Sequence, residues 1–103
     1  MPVYNKLIRD KIPEIIESEG KDYKIETLEE EEYIDSLNAK LQEELDEYLE
    51  SGDAKELADL LEVIYAIMDY KGISREKMES IRMKKKKERG GFEDKLFLRW
   101  VEE

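Results

Sequence analysis

Cysteine and histidine are both missing from this chain of 103 residues. Without cysteine there is no disulfide framework. Without histidine no nucleophile can be paired with an imidazole base, and any metal centre has to be built from oxygen donors, the preference of hard cations such as Mg²⁺. No apolar run approaches the roughly 20 residues of a bilayer-spanning helix. The first residues, MPVYNKLIRDK, lack the apolar core of a signal peptide, so the cytoplasm is the expected location. There is also no glycine-rich phosphate loop ahead of a helical pattern, no internal repeat, and no linker.

What the chain has in quantity is charge. Charged residues make up 45% of it and the formal net charge is −10, which argues against general affinity for nucleic acid or an anionic membrane. The charge is segregated: residues 26–62 hold fifteen acids and two lysines, whereas residues 82–89 hold six bases and one acid. The length suits a single domain over residues 1–103, and the composition suits helices.

The acids have an order of their own between Glu43 and Asp59, in EELDEYLESGDAKELAD. Ser51-Gly52 stops one helical pattern and Asp53 is a good N-cap for the next, which predicts a helical hairpin with a very short turn. Glu47 lies four residues before Ser51 and Glu56 four after Gly52, while Glu44 and Asp59 each lie seven away. Residues three apart share a helix face, so the four acids form two pairs at matched depth on facing helices. Four converging carboxylates raise one another's pKa, and a divalent cation relieves that repulsion. Glutamates in so acidic a chain usually belong to solvated faces. Burial favours the metal here: on a wheel of about 100° per residue the helix after the turn is apolar nearly all round from Leu57 to Ile67. Glu56 and Asp59 share a flank with Val63, Ala66, Ile67 and Tyr70, and Leu57, Leu60, Leu61, Ile64 and Met68 form a second apolar side. In the preceding helix Glu44 stands at the shoulder of a stripe of Ile34, Leu37, Leu41, Leu45 and Tyr48. A small domain with a helix apolar on two sides is expected to self-associate, as a dimer or a tetramer.

The rest of the chain frames this hairpin. Asp10 is expected to cap a helix with Pro13 in its first turn and Ile12, Ile15 and Ile16 as its stripe, running up to Gly20. Lys6, Arg9 and Lys11 at its start are either surface charge or a phosphate-contacting group. KDYKIETL alternates as a half-buried strand would, placing one near residues 23–28. Ser74 caps a fourth helix over about residues 75–89, whose end, RMKKKKERGG, has little apolar anchoring. Leu96, Leu98 and Trp100 fit a second strand near residues 95–101, and Phe92, Leu96 and Trp100 fit a short helix. The expected fold is mainly α: an antiparallel helical bundle with short strands admitted at these two places.

Glu43-Glu44-Leu45-Asp46-Glu47 followed by Glu56-Leu57-Ala58-Asp59 resembles the EExxE…ExxD signature of the all-alpha nucleoside triphosphate pyrophosphatases, the MazG-like superfamily. YNKLIRDKIPEII over residues 4–16 and ERGGF over residues 88–92 resemble the small, single-domain, house-cleaning members related to phosphoribosyl-ATP pyrophosphohydrolase. The resemblance covers nearly the whole chain. It implies Mg²⁺-dependent, or Mn²⁺-dependent, hydrolysis of a nucleotide between its α and β phosphates, giving a monophosphate and pyrophosphate. It assigns the metal to Glu44, Glu47, Glu56 and Asp59, with Glu43 the first acid of the motif. The eight residues between Glu47 and Glu56 are fewer than in many members, which leaves the base pocket unspecified. For the phosphates and the leaving group, Lys6, Arg9 and Arg89 are the candidates, followed by Lys86 and Lys87. Two alternatives stand beside this reading: a phosphoribosyl-ATP pyrophosphohydrolase, and a non-catalytic helical oligomerisation module.

Overall fold

A computed structural model describes residues 2–102. Four helices follow one another: α1 (Ile12–Ser18), α2 (Glu30–Ser51), α3 (Ala54–Lys71) and α4 (Arg75–Arg89). The fold is mainly α, and the chain divides into two compact units, Met1–Gly72 and Ile73–Glu103. Among the described residues no helix is long and apolar enough to cross a membrane.

The first unit is organised by α2 and α3, which pack along each other as an antiparallel hairpin. Its turn forms where the sequence places it. Gly52 ends α2 at φ 66°, ψ 15°, and its N–H donates to the Tyr48 carbonyl at 2.7 Å. Asp53 then starts α3, its Oδ1 accepting from the Lys55 N–H at 3.1 Å. The left-handed conformation at Gly52 is what allows two long helices to reverse within two residues. A Cβ there would meet nothing within 4 Å, so Gly52→Ala isolates the backbone cost. It is expected to lower stability by about 1–2 kcal/mol, read as a lower midpoint in thermal unfolding; an unchanged midpoint would show that the turn is not under this constraint.

Among the described residues, the buried apolar side chains are Leu37 on α2 and Val63 and Met68 on α3. Tyr33 and Tyr70 close the far end of the hairpin edge to face, ring centroids 5.9 Å apart. The other side of α3 is open: Leu57, Leu61 and Ile64 are 47%, 45% and 37% exposed. The second apolar side read from the wheel is thus bare at Leu57, Leu61 and Ile64 but buried at Met68.

The N-terminal part departs from expectation. α1 begins after Lys11, without a side-chain cap, so Asp10 does not play that part. The helix ends at Ser18, short of Gly20, and buries none of its residues. Residues 21–29 are irregular, and the strand expected at 23–28 does not form; Tyr23 and Ile25 are exposed.

In the second unit, Ser74 caps α4 as expected, its Oγ accepting from the Lys77 N–H at 3.0 Å. α4 ends at Gly90 and buries none of its residues. The region 95–101 is neither the strand nor the short helix admitted above. Lys95 takes φ 59°, and its N–H donates to the Phe92 carbonyl at 3.2 Å, so a turn sits where an extended run would have to begin. Alternation alone does not make a strand, because its ladder hydrogen bonds must come from a neighbour.

Candidate metal centre

The hairpin places α2 and α3 carboxylates against each other one and two turns from Gly52. Glu44 of α2 and Glu56 and Asp59 of α3 each offer a carboxylate oxygen, and these oxygens lie within 4.8 Å of one another. Glu44 is buried, at 6% exposure, while Glu56 and Asp59 are half-buried. Helical register explains the grouping: Glu56 and Asp59 lie on the packed flank of α3, and Glu44 lies seven residues along from Leu37 on α2. Glu47, the fourth expected acid, is exposed and is not one of this triad, but its carboxyl lies beside those of Glu44 and Glu56 and acts on both through hydrogen bonding and charge.

The electrostatics of the cluster are unfavourable to three ionised groups. The Glu44 carboxyl is pushed above the ordinary carboxylate range, first by burial and then by the neighbouring Glu47 carboxylate, with Lys40 pulling the other way. Glu56 is raised as well, first by desolvation and then by the charges of Glu47 and Asp59. One oxygen, Glu44 Oε2, is fully enclosed and has no hydrogen-bond partner among the described residues. An orphaned buried carboxylate oxygen is costly, and it is the kind of atom that a bound cation satisfies. An all-oxygen donor set on two rigid helices fits a hard divalent ion.

The bases expected around this site fall into two groups. Lys6 and Arg9 reach the hairpin from the irregular segment ahead of α1. Lys6 Nζ donates to Glu43 Oε1 at 2.9 Å, and Arg9 Nη2 donates to Asp59 Oδ1 at 2.7 Å. Lys86, Lys87 and Arg89 occupy the exposed last turn of α4, in the second unit. Glu43 is not one of the triad and pairs with two lysines: Lys6, and Lys40, whose Nζ is 3.1 Å from Glu43 Oε2. Its carboxyl is held below the ordinary range by the Lys6 hydrogen bond above all, with Lys40 adding to it, and Lys6 is raised in return.

Lys40 is the residue that sequence reasoning missed. Its Nζ also lies 3.5 Å from Glu44 Oε1, which makes it the cation nearest the buried end of the cluster. The signal was present as i,i+3 and i,i+4 spacing to Glu43 and Glu44 on one helix.

Comparison with known proteins adds little to this geometry. No family model matches the chain, and no solved structure does. A protein of Mycolicibacterium smegmatis described as uncharacterized is 43% identical over 53 residues, which are 52% of this chain and 53% of that protein. The chain therefore spans about half the length of this curated relative.

Proposed function

We propose that the protein is a Mg²⁺-dependent nucleoside triphosphate pyrophosphohydrolase that cleaves the α–β phosphate bond and releases a monophosphate and pyrophosphate. The observation that carries this is the convergence of Glu44, Glu56 and Asp59, together with the enclosed Glu44 Oε2 that has no hydrogen-bond partner among the described residues. It is joined by the resemblance of the same residues to the EExxE…ExxD signature. Glu44, Glu56 and Asp59 would hold the ion, with Glu47 as the exposed fourth acid. Held there, a cation would supply the charge that neutralises phosphate oxygens and lowers the pKa of an attacking water. The rigid helix pair contributes by fixing its acids before substrate arrives, so little reorganisation is needed during reaction. Lys6 and Arg9 supply positive charge for the phosphates and the leaving group. Non-canonical nucleotides are the substrate class the resemblance favours. The test is a panel of canonical and damaged triphosphates with Mg²⁺, scored for pyrophosphate and monophosphate together; release of neither from any of them would leave a helical oligomerisation module.

The active form is a homo-oligomer in this reading. Three buried apolar side chains among the described residues make a thin core, and the bare stripe of Leu57, Leu61 and Ile64 is the surface a second copy would cover. Wild-type protein is expected to sediment as a dimer or tetramer, and Leu61→Glu to sediment as a monomer with its helicity retained. A wild-type monomer at micromolar concentration would refute the association.

A further inference from the structure

We propose that Arg9 is the resident counter-cation of Asp59 in the carboxylate cluster, that a divalent metal displaces it, and that the displaced guanidinium becomes a contact for the substrate's phosphates. This inference rests on the metal-centre reading above and adds an exchange step to it. Asp59 offers an oxygen to the triad, yet its Oδ1 accepts from Arg9 Nη2 at 2.7 Å. The same carboxylate cannot give its full charge both to a guanidinium and to an ion, and a dication arriving beside Arg9 also meets a like charge. Occupation of the centre is therefore a competition.

The displaced group is built to move a short way and no further. Arg9 lies in an irregular, exposed segment, its side chain 56% exposed, so releasing it breaks no helix. Three residues earlier, Lys6 ties that segment to α2 through Glu43, a carboxylate that is not one of the triad. Opening the Arg9–Asp59 pair leaves the Lys6 tether intact, which keeps the guanidinium at the rim of the cluster. A planar fork of donors suits the oxygens of a phosphate, and this is where a phosphate bound to the metal would lie.

The experiment is a Mn²⁺ titration of the full chain, followed by electron paramagnetic resonance of the free ion at low ionic strength. Wild type is compared with Arg9→Met and Arg9→Lys. Arg9→Met is expected to bind Mn²⁺ about tenfold more tightly than wild type, with Arg9→Lys between the two, while its KM for the triphosphate rises about tenfold. These opposite movements distinguish exchange from simple positioning of Asp59, which would weaken metal binding in Arg9→Met. Mn²⁺ affinity that is unchanged or weaker in Arg9→Met overturns the exchange while leaving the metal centre standing. Failure of all three proteins to bind Mn²⁺ instead overturns the metal centre, and the exchange with it. In wild type, the Arg9 Nε–Hε resonance, identified by its loss in Arg9→Met, is expected to shift as Mg²⁺ is added; a stationary resonance at metal saturation also overturns the exchange.

Discussion

Glu56→Gln and Asp59→Asn are each expected to lower Mg²⁺-dependent pyrophosphate release by at least about a hundredfold. Both substitutions keep the size of the side chain and one oxygen but remove the charge that draws a divalent ion. The two residues lie one turn apart on the packed flank of α3 and offer their oxygens within 4.8 Å of Glu44. A single neutralised member leaves the ion with a weaker and less symmetric set of donors, so the loss should appear in kcat and in the Mg²⁺ concentration required. Glu56→Gln is the cleaner case, because Asp59→Asn also breaks the pair with Arg9. Rates within twofold of wild type for both variants would end the assignment of these acids to catalysis.

The second large effect is on stability, and it has opposite signs with and without metal. In a chelator, Glu44→Gln is expected to raise stability by about 1–3 kcal/mol, since it replaces a buried carboxylate carrying an unpartnered oxygen with a neutral amide. That amide can donate to a neighbouring carboxylate. With saturating Mg²⁺ wild type gains stability by mass action, about 2.7 kcal/mol at a hundred times Kd, and the variant gains little or none.

The pH dependence follows from the direction of the Glu44 shift. A carboxyl whose folded pKa lies above its unfolded value holds an extra proton in the native state. Its contribution to stability is complete below the ordinary carboxylate range and is lost as pH rises through the raised folded pKa. Metal-free wild type should therefore lose ground to Glu44→Gln as pH rises from about 4.5 toward neutrality. Glu56 is raised too and contributes a decline of the same sign to both proteins; Glu43, held low by Lys6 and Lys40, contributes the opposite slope to both. The difference between the two proteins isolates Glu44. Thermal unfolding in chelator across this range measures it, and parallel curves would show that Glu44 carries no buried charge.

Much of this could be read from local chemistry. Gly52 and Asp53 announce the hairpin because a left-handed C-cap and an N-cap are short-range demands that few residues meet. The bounds of α3 and α4 follow from Asp53, Gly72, Ser74 and Gly90 for the same reason. Given two antiparallel helices and a two-residue turn, the spacing of Glu44, Glu56 and Asp59 leaves them little choice but to meet. The strands expected at 23–28 and 95–101 fail for the complementary reason: alternation states which residues would share a face, but a partner strand has to supply the hydrogen bonds.

The sequence by itself determined the helices, their caps and the matched depth of the acids, because these depend on periodicity and on contacts within a few residues along the chain. Only the tertiary structure decided which of those acids is enclosed and which cation answers each one. It buried Glu44 while leaving Glu47 exposed, gave Glu43 to Lys6 and Lys40, and set Arg9 on Asp59 across fifty positions of sequence. Desolvation and ion pairing act through space, and the distances that set their strength exist only once the N-terminal segment lies against the hairpin.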